Sequence, residues 1–190
     1  MLRRVGLVFC TAGLAWAPTA TAADGVSASV GEGARDNVLD AYRGALQWVW
    51  ARQWLANDLF RVVGYWDVSV ASFEADDDAH RDHEGADRAF AIAAAPVWRI
   101  QLKQLGIAAP FAELAIGAAW LSETELATSG SAPRELGSSF QFEDRIAVGA
   151  SFGRRGQLEI SAQRFHYSNL GLGGENDGID AHLLMIAWRF

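Results

Sequence analysis

Eight segments of alternating apolar and polar side chains recur along the chain and constrain its fold more than any other feature. They cover roughly residues 26–32, 38–50, 59–73, 88–102, 109–122, 136–153, 157–168 and 179–190. Alternation with a period of two predicts strands that have one apolar and one polar face. After residue 22 no run reaches the roughly 20 apolar residues that a membrane-spanning helix needs, so strands must present the apolar surface.

The connections between these segments alternate in length. Those at 103–108 and 153–156 are short, whereas those at 74–87, 123–135 and 169–178 are long and polar. An even number of strands with short turns at one end and long loops at the other is typical of bacterial outer-membrane barrels. The pattern therefore predicts an all-β fold, an eight-stranded antiparallel transmembrane β-barrel with both termini on the periplasmic side.

Aromatic residues support the same prediction. The sequence has eight tryptophans, and the segment 47–54 supplies several aromatics suited to an interfacial girdle. The chain ends in Trp188-Arg189-Phe190, a terminal aromatic that resembles the signal by which barrel-assembly machinery identifies its clients. A soluble periplasmic β-sandwich is the alternative, and it accounts for the alternation but not for the terminal aromatic.

The first 22 residues have the pattern of a secretory signal peptide. Arg3 and Arg4 precede an apolar stretch from Val5 to Trp16, which is too short for a membrane anchor, and Ala20-Thr21-Ala22 then supplies the small-x-small pattern that signal peptidase cleaves. We expect a signal peptide at 1–22 and one barrel domain at 23–190. Cleavage would remove Cys10, the only cysteine, and would lower the formal charge from −7 to −9, which disfavours nucleic acid as a partner.

The last two predicted strands place three polar residues on one face. Counting back by twos from Phe190 along its apolar row reaches Asp180, and the apolar row that starts at Leu158 continues to His166 and Ser168. All three side chains are therefore expected on the lipid-facing wall. Polar groups on that wall are unfavourable unless they lie near the rim or have a function.

A serine, a histidine and a carboxylate together can hydrolyse an ester. The hydroxyl needs a base to remove its proton, and the base needs a third group to orient it. Ser168, His166 and Asp180 can fill these roles, and Asn169 and Gly171 follow the nucleophile as expected donors to the developing oxyanion. The residues alone leave another interpretation open, in which a strand simply ends in His and Ser and an Asn-Asp-Gly turn follows.

Two segments resemble a known family. Residues 165–172 are F-H-Y-S-N-L-G-L and residues 176–180 are N-D-G-I-D. They resemble the H-Y-S-N-x-G-L and N-D-G-I-E motifs of PagL-type lipid A 3-O-deacylases. The segments 64–67 and 138–149 add further matches, so the resemblance extends over most of the mature chain.

The resemblance implies an integral outer-membrane serine esterase that hydrolyses the 3-O-linked acyl chain of lipid A and releases a 3-hydroxy fatty acid. It implies His166 as base, Ser168 as nucleophile and Asn169 near the oxyanion, without metal or organic cofactor. Its partner would be lipopolysaccharide in the outer leaflet, and a homodimer stays open. The family acid is Glu, whereas this chain has the shorter Asp180, so Glu175 is an alternative orienter.

Other features and function classes carry less weight. The acidic segment 74–84 with its two histidines could hold a divalent cation, but its spacing favours a solvated outer loop. Asp144 and Arg145 could pair in the lumen or contact lipid A, and residues 143–145 are interpreted mainly as barrel scaffold.

A non-catalytic adhesin or structural barrel is the alternative function, and a passive channel is disfavoured because small barrels are filled by side chains.

Overall fold

The computed structural model describes residues 22–34, 39–75, 85–127 and 133–190. Residues 1–21 of the expected signal peptide and most of the segment 74–84 lie outside the described residues. In chain order the strands are β1 (Gly25–Gly33), β2 (Leu39–Val49), β3 (Trp54–Ala56), β4 (Phe60–Ala75), β5 (Arg88–Leu102), β6 (Ala108–Leu121), β7 (Glu125–Leu126), β8 (Arg134–Glu135), β9 (Phe140–Phe152), β10 (Leu158–Ser168) and β11 (Ile179–Arg189). Within the described ranges, no helix is long and apolar enough to cross a membrane.

Eight long strands close into an antiparallel barrel. Each pairs with the next long strand along the chain, and β1 closes the ring by pairing with β11. The predicted eight-stranded barrel is confirmed, and a soluble β-sandwich is wrong. Three short strands were not predicted: β3 precedes β4, and β7 and β8 form a hairpin in a long loop.

One predicted boundary is wrong. The sequence placed the start of the sixth long strand at residue 136, but β9 begins at Phe140. Gly137 has a φ of 68°, in the left-handed region that extended strands do not use. The side chain of Gln141 donates to the Leu136 and Ser138 carbonyls, so residues 136–139 form a turn that continues the loop.

The barrel is apolar outside and polar inside. Val30, Val70 and Ile92 are more than half exposed on the outer wall. In the lumen, Arg145 and Arg43 both contact Asp67. This reversal of the usual burial pattern is what a barrel in a bilayer requires.

A second charged group lies in the lumen nearer the short turns. Arg99 donates to Glu113 and, through two nitrogens, to Glu159, at distances of 2.5 to 2.7 Å. Arg189 also reaches Glu159. Because these side chains occupy the interior, the lumen in this region is a packed polar core, which argues against a passive channel.

An apolar cluster closes the lumen at the end where the long loops lie. Phe165 and Tyr167 of β10 pack there with Phe73 of β4 and with Leu126 and Leu136 from the loop between β6 and β9. Packing of Phe165 and Tyr167 inside the barrel therefore fixes the end of β10 next to the long loops. The alternate residues of that strand, which include His166, are fixed on the opposite face.

Candidate active site

His166 and Asp180 face each other across β10 and β11. They are direct partners in the strand register, and His166 Nδ1 lies 3.3 Å from Asp180 Oδ1. Both belong to the outward row, as predicted, because their neighbours Phe165, Tyr167 and Ile179 are buried inside the barrel. The structure therefore brings together the expected base and the expected acid on the outer wall.

Ser168 ends β10 on the same row but is more enclosed than the sequence suggested. Only 5% of the residue is exposed. Its Oγ accepts hydrogen bonds from the Leu170 N–H at 3.0 Å and from Asn176 Nδ2 at 3.1 Å, and among the described residues no hydrogen bond joins it to His166. The loop therefore holds the Ser168 hydroxyl. Ser168 lies two residues after His166 on the same face of β10.

Gly178 brings the returning chain against the imidazole. A Cβ at this position would lie 3.2 Å from His166 Cε1 and 2.6 Å from the Tyr167 carbonyl oxygen. Its φ of 64° is also unfavourable for residues with side chains. The loop therefore needs glycine to place Asp180 next to His166.

The two expected oxyanion donors are engaged within the loop. The Asn169 side-chain amide donates to the carbonyls of Leu136 and Glu175 at 2.8 and 2.9 Å, and its backbone N–H donates to Asn176 Oδ1. The Gly171 N–H donates to Asn169 Oδ1. In this arrangement both residues hold the loop in place.

Asn176 was missed as a site residue. Its side chain connects the expected nucleophile to the loop, because Nδ2 donates to Ser168 and Oδ1 accepts from the Asn169 N–H. The N-D-G-I-D motif contains this residue and could have pointed to it. Sequence reasoning instead treated Asn176 as part of a turn.

Arg164 was also missed. Its Nη2 lies 3.3 Å from Asp180 Oδ1, the same oxygen that faces His166. The shared oxygen places a cation next to the carboxylate on the outer wall. Position on the outward row was readable from the sequence, but contact with the neighbouring strand required the register.

Arg134 in the short strand β8 joins the two outer loops. Its Nη1 donates to the carbonyls of Asp177 and Gly178, and the Glu135 N–H donates to the Asp177 carboxylate at 2.9 Å. Burial lowers the pKa of the Arg134 guanidinium, and the carboxylates of Asp177 and Asp180 partly oppose that effect. The β7–β8 hairpin thus fixes the segment that leads into β11.

Of the two interpretations that the sequence left open for Asp144 and Arg145, pairing in the lumen is wrong. Adjacent strand residues point to opposite faces, so Arg145 is buried against Asp67 while Asp144 lies half-buried on the outer wall. Asp144 lines an outer-wall depression of about 400 Å³ with Leu114, Ile146, Arg164, His166 and Asp180, as well as parts of Arg145 and Phe165. The expected base and acid thus border a partly apolar cavity.

Glu175, the alternative orienter, is exposed in the loop. Its backbone carbonyl accepts from Asn169, and its carboxylate makes no hydrogen bond or ion pair with the part of the chain that the structure describes. The described residues also contain no group of three or more His, Cys, Asp or Glu side chains arranged for a metal ion.

Comparisons with known proteins relate this barrel to one family. Residues 39–189 match the model of a family described as Lipid A 3-O-deacylase (PagL). A protein named Lipid A deacylase PagL, from Pseudomonas aeruginosa, is 36% identical over 166 residues, which cover 87% of this chain and 86% of that protein. A crystal structure of the outer membrane enzyme PagL is similar with a TM-score of 0.73 and 31% identity, over 87% of this chain and 99% of the other.

Proposed function

The chain belongs to the lipid A 3-O-deacylase (PagL) family of outer-membrane enzymes, and we propose that it works as a serine esterase on lipid A. His166, Ser168 and Asp180 would act as base, nucleophile and acid. The observation that carries this proposal is the 3.3 Å contact of His166 Nδ1 with Asp180 Oδ1, on the strand face that Ser168 shares. Three such groups at one rim of a barrel match the requirements of acyl transfer.

The first half of the reaction forms an acyl-enzyme. With Nδ1 directed at Asp180, Nε2 of His166 is the nitrogen that takes the Ser168 proton while Oγ attacks the ester carbonyl at the 3-position of the sugar. The tetrahedral intermediate collapses as the sugar oxygen leaves, and His166 returns the proton to that oxygen. The sugar hydroxyl is then free and the acyl group is bonded to Ser168.

The second half releases the fatty acid. Water gives a proton to His166 and attacks the acyl-serine carbonyl, the bond to Oγ breaks, and the imidazolium returns the proton to Oγ. The product is a 3-hydroxy fatty acid. The Asp180 carboxylate stabilises the imidazolium in both halves.

The oxyanion of each intermediate needs hydrogen-bond donors close to Ser168 Oγ. The Leu170 N–H and Asn176 Nδ2 now donate to Ser168 Oγ, and they would turn to the carbonyl oxygen that lies beside Oγ once it has attacked. Asn169 and Gly171 would first have to release their present bonds within the loop. We therefore assign the first donor roles to Leu170 and Asn176, with Asn169 and Gly171 supporting them.

The outer wall below the site is suited to acyl chains. A depression of about 580 Å³ runs from Arg164 and His182 to Val30, and an apolar one of about 770 Å³ continues past Ala28 and Gly44. A substrate in the outer leaflet would reach the site by lateral diffusion, with its ester near the rim. Export to that membrane would use the signal peptide proposed at 1–22.

The test is incubation of the purified, folded protein with lipopolysaccharide in detergent, followed by mass spectrometry of lipid A. The expected result is loss of one 3-hydroxyacyl chain and recovery of the corresponding free acid. An unchanged lipid A mass would favour a non-catalytic barrel of the adhesin or structural type. Detection of acyl-Ser168 by peptide mass mapping after a brief reaction would support the covalent step.

A further inference from the structure

A cationic cavity lies at the end of the barrel opposite the candidate active site, among the short turns. Its volume is about 400 Å³. It is lined by Arg61 at the start of β4, Lys103 directly after β5, and Arg154 and Arg155 in the turn between β9 and β10. No Asp or Glu of the described residues lines it. The cavity therefore has a positive charge in a chain whose formal net charge is −7.

Three of these four cations have no partner in the part of the chain that the structure describes. Arg61, Arg154 and Arg155 are exposed and make no hydrogen bond or ion pair there. Lys103 pairs at 3.2 Å with Asp58, whose carboxylate is fully exposed. Like charges around one cavity repel one another and attract counter-ions from solution. An anion bound among them would therefore be favoured.

The cavity is closed on the side of the lumen. The side chains of Gln101 and Ser151 are buried there, and both donate to the Ala109 carbonyl. Deeper in the lumen, Arg99 is already paired with Glu113 and Glu159. A bound anion would therefore enter from the end with the short turns and stay at the mouth of the barrel.

Exposed apolar side chains lie on the turns next to these cations. Leu59, Leu105 and Ile107 are 69 to 79% exposed, and Leu102, which lines the cavity, is 41% exposed. The Lys103 N–H donates to the Leu59 carbonyl at 2.9 Å, so the turns before β4 and after β5 lie side by side. Cations beside exposed apolar side chains are suited to an amphiphile with an anionic head.

We propose that this cavity binds the phosphate of an anionic phospholipid of the phosphatidylglycerol class, from the inner leaflet of the outer membrane. The short turns of such barrels lie at the periplasmic end, which is the level of that leaflet. The phosphate oxygens accept hydrogen bonds from Arg61, Arg154 and Arg155, and the acyl chains lie along Leu102 and Leu105.

Guanidinium groups favour this headgroup for two reasons. A guanidinium can donate two parallel hydrogen bonds to one phosphate, which strengthens and orients the contact. A zwitterionic headgroup such as phosphatidylcholine brings an ammonium group that the same cations repel. The cavity should therefore discriminate between anionic and zwitterionic phospholipids. This binding is independent of the deacylation chemistry at the other end of the barrel.

The experiment measures lipid binding by native mass spectrometry of the purified barrel released from detergent micelles. The wild-type protein and the double variant Arg154→Gln/Arg155→Gln are each titrated with phosphatidylglycerol and with phosphatidylcholine of the same acyl chains. The matched control is Arg52→Gln/Arg88→Gln, which removes two exposed cations that do not line the cavity. Migration of unheated protein in SDS gels confirms that each variant is folded.

The wild-type protein should bind phosphatidylglycerol roughly fivefold or more tightly than phosphatidylcholine. Arg154→Gln/Arg155→Gln should weaken binding of phosphatidylglycerol by roughly tenfold or more, because each cation beside an anionic lipid surface contributes roughly fivefold in affinity. Binding of phosphatidylcholine should change by less than about twofold, and the control variant should match the wild type. If the double variant does not fold, Arg61→Gln should show a loss of roughly fivefold for phosphatidylglycerol.

Three results would overturn the proposal. One is equal affinity of the wild-type protein for the two lipids. Another is an equal loss of phosphatidylglycerol binding in the control variant, which would mean that diffuse surface charge attracts the lipid. The third comes from competition with inorganic phosphate: displacement of phosphatidylglycerol at equal concentration would identify a site for free phosphate, to which acyl chains add nothing.

Discussion

Nδ1 of His166 lies 3.3 Å from Oδ1 of Asp180, and the two residues are direct partners across the last two strands of the barrel. A cross-strand pair of this kind is held by the sheet register, and Gly178 lets the loop before β11 pass close to His166. Ser168, by contrast, is held by hydrogen bonds from the loop that follows it. The expected site therefore combines a base and acid on rigid strands with a nucleophile at a strand end.

Replacement of the expected nucleophile or base should abolish deacylation. Ser168→Ala and His166→Ala should each lower turnover of lipopolysaccharide by roughly 10³-fold or more, because each removes a member of the triad. Ser161→Ala is the matched control, since Ser161 lies on the same strand but faces the lumen. Retained lipid A deacylation in Ser168→Ala would contradict the nucleophile assignment.

Asp180 and Glu175 should differ in their effect on turnover. Asp180→Ala should lower kcat by roughly 10³- to 10⁴-fold, because the imidazole loses the group that orients it and stabilises its charge. Glu175→Ala should stay near the wild-type rate, since its side chain is exposed in the loop. Initial rates of fatty acid release measure the turnover of both variants. A larger loss of turnover in Glu175→Ala than in Asp180→Ala would reassign the orienter to Glu175.

Asn176→Asp should lower kcat more than it changes KM. The substitution keeps the shape of the side chain but removes the N–H donor directed at Ser168, and loss of one oxyanion donor costs roughly 10²-fold in kcat. Asn57→Asp is a suitable control, because Asn57 Oδ1 only accepts hydrogen bonds in its turn. Equal kcat values for both variants and the wild type would exclude Asn176 as an oxyanion donor.

Arg134 should matter for activity although it belongs to a different loop. Arg134→Ala removes the donors to the Asp177 and Gly178 carbonyls, and we expect turnover to fall roughly tenfold as the entry into β11 loosens. Guanidinium ions added to the variant should restore part of the rate, whereas equal concentrations of sodium should not. Unchanged turnover in Arg134→Ala would show that the hairpin does not position the site.

Asp67→Ala should destabilise the barrel. It leaves the buried side chains of Arg43 and Arg145 without their shared carboxylate, and removal of one partner from a buried ion pair costs about 3 to 5 kcal/mol. Urea unfolding in lipid vesicles, followed by tryptophan fluorescence, measures the free energy of unfolding. Asp58→Ala is the control, because it breaks only the exposed pair with Lys103 and should leave the free energy of unfolding unchanged. Equal free energies of unfolding for the two variants would contradict the role of the lumen charges.

Local alternation was enough to predict the eight strands and their faces. The outward position of His166 and Asp180 follows from counting by twos along β10 and β11, and the structure confirms it. This works because the period of a strand is a local property of the backbone and the bilayer forces one face to be apolar. The predicted start of β9 at residue 136 was too early, because the turn around Gly137 depends on contacts with Gln141 and with the loop.

The chemical surroundings of the site were decided by tertiary structure alone. Asn176 and Arg134 reach Ser168 and Gly178 through loop conformations that no short sequence pattern specifies. Asp144 meets His166 because of the register between β9 and β10, which is set by the closure of the whole barrel. The amino-acid sequence by itself determined which residues form strands and which way they face, whereas the distances between those residues came only from folding, because register and loop geometry depend on contacts between segments far apart in the chain.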